Sequence, residues 1–495
     1  MLTSFNLYDR IITDLILLGE DNNRHTYEKE KISAVCHYAA CQGGNMSNRK
    51  CVLDYFEQNK DFFEDTVYPN IEKYRKGDIK ISVTDKDGNK ISNGKVKIKQ
   101  LNHEFKFGAN IFMLDELEAE EKNRKYKESF KSLFNMATLP FYWNSTEPQP
   151  KDYRFDKSSS KYYRRPPIDL CMEFCEENGI EPREHALAYE HMFPAWLKDH
   201  SVSEVKSALE SRYKMIAERY ADKIPTIEVT NEMLWGHDCG ATAFYNEPDF
   251  IEWCFKTAEK YFPENQLVIN EYTEAFWGAN CRATDSYYAY VEANLLKGAR
   301  IDAIGAQFHM FESRESELRK SSYLYNPISL YDHMNMYADL INCLQVTEIT
   351  IPAYSDDPVD EEIQAKLIEY LYTVWFSHPA LEQIIYWNLV DGYAYVADPT
   401  PEKIARTQGD MTVGENVYYG GLLRFDLTPK PAYKTLHNLI NKKWKTELSC
   451  ELTNGECNLR GFFGEYEIEI EADGKIVKSR FTHSKNGSGS IEITV

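Results

Sequence analysis

Short apolar runs recur between residues 105 and 387, and the stretches separating them carry helical periodicity. The runs cover 105–111, 133–138, 184–188, 226–231, 267–270, 301–308, 343–348 and 383–387. Each has the length of a strand, and near-continuous apolar runs of this kind belong to strands covered on both faces of a parallel sheet. Segments such as 202–220 and 361–376 place apolar residues three and four apart, the spacing of one helix face. Eight strands alternating with helices predict an α/β chain folded as a (β/α)8 TIM barrel over 105–445.

The flanks follow another period. Residues 78–84, 95–99, 465–472 and 490–495 alternate apolar and polar positions, with turn signals at Asp85-Lys-Asp-Gly-Asn89 and Asp473-Gly474. Alternation of this type marks half-exposed strands. Neither flank has enough strands to stand alone. Residues 76–104 and 446–495 are therefore expected to combine into one accessory antiparallel β domain. Residues 1–75 are polar with helical spacing, broken at Gly43-Gly44-Asn45, and are expected to form an N-terminal helical extension.

Composition narrows the function classes. A net charge of −21 disfavours nucleic acid or an anionic membrane as partner, because phosphate binding needs Lys and Arg. No run approaches the ~20 apolar residues of a membrane span. The N-terminus lacks a basic start and a cleavable apolar region, so a cytoplasmic location is expected, or a secreted one if the sequence begins after a removed signal. Eleven scattered cysteines fit reduced thiols. Cys36, Cys41 and Cys51 lie near His25 and His37, but without a C-x-x-C pair no metal and no cofactor are expected. Aromatic residues make up 14% of the chain, with 34 Tyr, 25 Phe and 8 Trp. They serve equally as core and as stacking surfaces for sugar rings.

Two of the runs end in glutamates. Thr230-Asn231-Glu232 closes the fourth and Val346-Thr347-Glu348 the seventh. Carboxylates at the C-terminal ends of barrel strands face the mouth where barrel enzymes work. Two facing carboxyls, one protonated and one bare, are the apparatus of glycosidic bond cleavage, and roughly 5–5.5 Å between them is the retaining geometry. Asn231 is placed to reach a sugar 2-hydroxyl.

Further motifs occur in order along the chain. These are Phe107-Gly108-Ala109, Trp143-Asn-Ser-Thr-Glu-Pro148, His185-Ala-Leu-Ala-Tyr189 with Pro194-x-Trp196, Val268-Ile-Asn-Glu-Tyr272, Ile304-Gly-Ala-Gln-Phe-His309, Trp387 with Asp391, and Leu423-x-Phe-Asp followed by Pro429-Lys-Pro-Ala-Tyr433. With the two glutamate motifs, this series resembles glycoside hydrolase family 10, the endo-β-1,4-xylanase family of retaining barrels, over about 105–440. The resemblance implies Glu232 as general acid/base and Glu348 as nucleophile. It also implies His309 and Gln307 beside them, Trp387 as the sugar platform, and His185, Trp143 and Tyr272 in the substrate cleft. The implied partner is a β-linked oligo- or polysaccharide or a small β-glycoside.

Three departures fall on the donor-sugar side. The loop at Thr138-Leu-Pro-Phe-Tyr-Trp143 is two residues shorter than the family's and lacks its Glu, Asn and Lys. Glu190 stands where a second histidine is usual, and Tyr395 replaces a tryptophan. Hydrolysis is expected to persist, while xylan specificity is placed in doubt. Glu190 is expected either to meet a sugar hydroxyl or to pair with Arg183. The cluster Lys157, Lys161, Arg164 and Arg165 reads as a solvated loop or as a contact for an acidic decoration. A catalytically silent carbohydrate-binding barrel and a transglycosylase are the alternatives.

Overall fold

The computed structural model describes residues 49–495 except 92, 235–241, 279–283, 398 and 473. The expected helices before residue 49, and the His25, Cys36, His37 and Cys41 group, lie outside the described residues.

Eight parallel strands close into a barrel: β3 (Lys106–Asn110), β4 (Met136–Pro140), β5 (Glu181–His185), β6 (Thr226–Asn231), β7 (Gln266–Glu271), β8 (Ala303–His309), β9 (Leu344–Thr350) and β10 (Leu381–Tyr386). Each pairs with its sequence neighbour, and β10 returns to β3. All eight apolar runs correspond to these strands. The second was expected to begin at Leu133, but Leu133 closes the helix Glu120–Leu133 and packs with that helix's buried face, alongside Tyr126 and Phe130. Two adjoining apolar elements had merged into one run. The third strand begins three residues earlier than expected, because Glu181-Pro-Arg-Glu184 is polar yet enters the barrel. Its Arg183 lies 2.6 Å from Glu228 of β6, with both side chains buried. Buried charges appear in strands when they pair, and pairing leaves no trace in hydropathy.

The flanks supply two further sheets. β1 (Lys76–Thr84) lies between β12 (Glu456–Phe462) and β15 (Ser490–Thr494), antiparallel to the first and parallel to the second. β2 (Gly94–His103) lies between β11 (Glu447–Glu451) and β13 (Gly464–Ala472), and β14 (Lys475–His483) completes that sheet. Ile79, Ile81 and Val83 of one sheet pack with Val96, Ile98, Ile468 and Ile470 of the other. Tyr466 is buried in the same core and stacks on Phe481 at 5.0 Å. Cys450 of β11 is disulfide-bonded to Cys457 of β12, which ties the two sheets together and departs from the expectation of reduced thiols.

β2 runs almost directly into β3, so the sandwich joins the N-terminal end of the barrel, opposite the mouth. Trp444 seals that junction, stacked on Phe376 at 4.4 Å and on Phe107 at 5.8 Å. Residues 49–74 form short helical segments against the barrel flank. Phe56 stacks on Tyr370 at 4.8 Å, and the buried Arg49 grips Glu317 at 2.9 and 3.0 Å. Among the described residues no helix is long and apolar enough to cross a membrane.

Candidate active site

The C-terminal ends of the barrel strands open into a cavity of about 770 Å³. Glu232 follows the last residue of β6 with φ of +52°, in the left-handed region that costs a non-glycine residue roughly 1–2 kcal/mol. Its N–H donates to Asn270 O of β7 at 3.2 Å. Glu348 projects from β9, almost fully buried.

One amide joins the two carboxyls. Gln307 of β8 donates from Nε2 to Glu232 Oε1 at 2.8 Å and to Glu348 Oε1 at 3.3 Å. Two oxygens that close to one nitrogen stand at most about 6 Å apart, an upper limit that admits the roughly 5–5.5 Å of the retaining geometry. Tyr189 donates to the other oxygen of Glu232 at 2.7 Å. Asn231 Oδ1 accepts from Asn270 at 2.8 Å and from Gln307 at 3.4 Å, which turns its amide nitrogen away from both donors.

Glu348 is surrounded by donors. Asn270 Nδ2 reaches Oε1 at 3.4 Å, and His309 Nε2 lies 3.1 Å from Oε2. Burial pushes His309 down to about 4, so its imidazole is neutral. The network then assigns the ring proton to Nε2, donating to Glu348, while Nδ1 accepts from the Thr350 hydroxyl at 3.0 Å. Gly305, two residues before Gln307 on β8, is required by this cluster. A Cβ at 305 would collide with Asn270 Oδ1, and Asn270 bridges Glu228, Asn231 and Glu348.

A second charged layer lies below. His185 Nδ1 meets Glu228 at 2.8 Å, and its Nε2 lies 3.0 Å from the Tyr142 hydroxyl and 3.8 Å from Glu348. Burial alone would lower His185, but Glu228 and Glu348 together outweigh it and hold the imidazole above its ordinary value. Burial likewise opposes the charge on Glu228, and His185 with Arg183 overcomes it, holding that carboxyl below its ordinary value. His185, Glu228 and Glu348 bring metal-ligand atoms within 4.8 Å of one another. Those atoms are engaged with each other and with Tyr142, Asn270 and His309.

Burial pushes the Glu348 carboxyl well above the usual range, His185 is the strongest influence pulling it down, and Glu228 and Glu232 add to the rise. The carboxyl that the family resemblance casts as the bare nucleophile is thus the one whose surroundings resist ionising. The sign of the consequence is fixed. If reaction requires ionised Glu348, activity rises with pH through its elevated pKa, so the acid limb of kcat/KM lies above the ordinary glutamate value of ~4.3. A His185→Asn variant removes the main opposing influence and moves that limb to higher pH. A pH–rate profile checks both, and an unmoved or lowered limb contradicts the argument.

Of the residues singled out in the sequence, Asn231, Glu232, His185, Tyr272, Gln307, His309, Glu348, Trp387 and Tyr395 line the cavity. Trp387 lies edge-on to Phe112 at 5.1 Å and to His185 at 5.4 Å. Tyr395 is 41% exposed at the rim. Two residues lie elsewhere. Trp143 is buried behind the wall, donating to Glu147 at 2.9 Å and packed edge-on against Phe193 and Trp196. Glu190 is buried and accepts from the Thr242 N–H at 3.1 Å, while Arg183, its suggested partner, is spent on Glu228. The sequence reading missed Tyr142, Tyr189, Asn270, Phe112 and Glu228. Tyr142 precedes one recognised motif and Tyr189 closes another, and their hydroxyls gave no signal of their own. Arg164 and Arg165 belong to the cluster noted above and line the cavity, whereas Lys157 pairs with Glu173 outside it.

Comparisons with known proteins find the same barrel fold. A solved structure of native xylanase 10B from Thermotoga maritima superposes with a TM-score of 0.53, 21% identical, covering 69% of this chain and 96% of that one. The xylanase 10B of Thermotoga petrophila RKU-1, in complex with xylobiose, gives 0.52 at 21% identity, covering 69% and 95%. These likenesses establish the barrel fold. Among curated sequences, the anti-sigma-I factor RsgI6 of Acetivibrio thermocellus is 23% identical over 438 residues, 87% of this chain and 49% of that protein. Endo-1,4-beta-xylanase 1 of Arabidopsis thaliana is 23% identical over 441 residues, 86% and 39%. The chain therefore spans half or less of the length of these curated relatives. The profile of glycosyl hydrolase family 10 matches residues 98–438, which include both glutamates and the whole closed barrel. The chain belongs to glycosyl hydrolase family 10.

Proposed function

We propose that this barrel is a retaining β-glycoside hydrolase that cleaves a β-linked glycan or glycoside by double displacement. The observation that carries the reading is the single Gln307 amide in contact with both Glu232 and Glu348. In the first step Glu348 attacks the anomeric carbon while Glu232 gives its proton to the departing oxygen, and a glycosyl ester forms on Glu348. In the second step Glu232 takes a proton from water, which attacks the same carbon and releases Glu348. His309, Gln307 and Asn270 hold the nucleophile's oxygens in place. Asn231, its carbonyl fixed by Asn270 and Gln307, offers its amide to the sugar 2-hydroxyl. Trp387 supplies an apolar face beneath the ring.

A silent carbohydrate-binding barrel is the weaker reading, because sugar binding alone gives no reason to hold two carboxyls on one amide. A transglycosylase would use the same two residues and differs only in the acceptor of the second step. The donor side differs from that of xylanases at the shortened loop before Trp143, where Tyr142 closes on His185. The expected result is turnover of one or more aryl β-glycosides from a xyloside, glucoside, galactoside and arabinoside panel, with little release from linear xylan. No turnover across the panel would overturn the hydrolase reading. Efficient release from linear xylan would overturn the specificity.

A further inference from the structure

The cavity has an uneven charge distribution. On the side of β7 and β8 it is lined by Glu274 and Glu312, and Lys320 pairs with both. The cavity is also lined by Arg164 and Arg165, carried by the loop that follows β4. Arg164 has a counter-charge: it lies 3.8 Å from Glu415 and donates to Asn388 Oδ1 at 2.7 Å and to Tyr393 O, although its buried Nε finds no acceptor.

Arg165 is different. It is only 6% exposed, and its guanidinium lies over Tyr142 at 4.0 Å and beside Phe112 at 5.1 Å. One of its N–H groups donates to Arg164 O at 2.9 Å. Among the described residues no carboxylate lies within ion-pair distance of it. Burial, with Arg164 alongside, lowers it to about 10, so it still carries its charge at neutral pH. A buried cation without a counter-ion is costly unless a ligand supplies one. The guanidinium fork matches a carboxylate in shape and takes it in two parallel hydrogen bonds. A phosphate fits less well, since its second charge would meet Glu232 and Glu348 in the same cavity.

Position indicates which part of the ligand bears the charge. Trp387, the proposed platform, contacts Phe112, and Arg165 in turn contacts Phe112 and Tyr142. The charged group therefore belongs one aromatic ring beyond the sugar being attacked, on the shortened-loop side. Resting on the hydrolase reading, we propose that Arg165 forms a subsite for a sugar carboxylate, so that the substrate carries a uronic acid on its donor side. That acid is either a residue of the main chain or a branch on it.

The test is calorimetric titration of the full chain bearing Glu348→Gln, so that ligands are not consumed. The probes are a glucuronic-acid-terminated β-linked disaccharide, a xylotetraose with a glucuronic acid branch, the methyl ester of each, and plain xylotetraose. Each ester keeps the shape and removes the charge. At least one acid is expected to bind tenfold or more tightly than its own ester, with the advantage shrinking as salt is raised. Whichever acid shows the advantage identifies its source as main chain or branch. Adding Arg165→Gln is expected to equalise acid and ester, and Arg165→Lys to keep part of the preference. Equal binding of acid and ester by the Glu348→Gln protein overturns the proposal without any Arg165 variant. A preference that survives Arg165→Gln overturns it as well, and tighter binding of plain xylotetraose than of either acid assigns Arg165 to a neutral hydroxyl. Turnover of aryl glycosides without acid preference sinks this inference alone. Acid preference without turnover sinks only the hydrolase reading.

Discussion

Glu348→Ala is expected to lower turnover of an aryl β-glycoside on the order of 10⁴-fold or more, because it removes the group proposed to form the covalent intermediate. The fold should tolerate the change. Glu348 is a buried carboxyl whose ionisation is resisted by burial and by two neighbouring glutamates, so its loss relieves rather than adds electrostatic strain. A thermal scan beside the kinetic measurement separates lost chemistry from lost structure. Azide sharpens the test. Occupying the emptied position, it would attack from the face opposite the leaving group and give an α-glycosyl azide. In Glu232→Ala the ester on Glu348 still forms, fastest with a good leaving group, and azide would trap it as the β product. Unchanged turnover in Glu348→Ala removes the basis of the mechanism.

Lys430→Met destabilises the protein by about 3–5 kcal/mol, the usual cost of stripping one partner from a buried ion pair. Lys430 lies 2.6 Å from Asp391, and both side chains are buried. Asp391 also accepts from the Gly421 N–H at 2.7 Å, and Lys430 donates to Tyr419 O at 2.7 Å. Together these bonds fasten the segment after β10, which carries Trp387, to the chain arriving from 419–430. The double variant Asp391→Asn with Lys430→Met should recover part of the loss, since no charge is then stranded. Denaturant unfolding of the parent protein, the two single variants Asp391→Asn and Lys430→Met, and the double variant reads this directly. A loss below ~1 kcal/mol in Lys430→Met would mean that the pair is solvated and the loop is held by other contacts. The same substitution should weaken sugar binding through the displaced Trp387, as a rise in KM.

Patterning made the barrel legible because its strands bury both faces and leave long apolar runs. It failed at β5, where Arg183 and His185 enter the interior by pairing with Glu228, a contact between residues 43 or more positions apart. The two glutamates were legible for a related reason: a carboxylate ending an apolar run has no cheap structural explanation. Hydroxyl donors such as Tyr142 and Tyr189 were not, since tyrosine is equally at home in any core of this aromatic-rich chain. Arg165 shows the intermediate case. Its sequence neighbours mark a basic loop, and only the folding of that loop over Phe112 separates it from Lys157, which stays in solvent.

The two-sheet unit beneath the barrel draws β1 and β2 from before the barrel and β11 to β15 from after it. During synthesis the first pair emerges with Ile79, Ile81, Val83, Val96 and Ile98 uncovered and with unpaired strand edges. Their partners arrive only when the whole barrel has left the ribosome. Until then those strands are open to pairing with other nascent chains, so the yield of active protein should depend on translation speed and chaperone supply more than the finished molecule's stability would indicate.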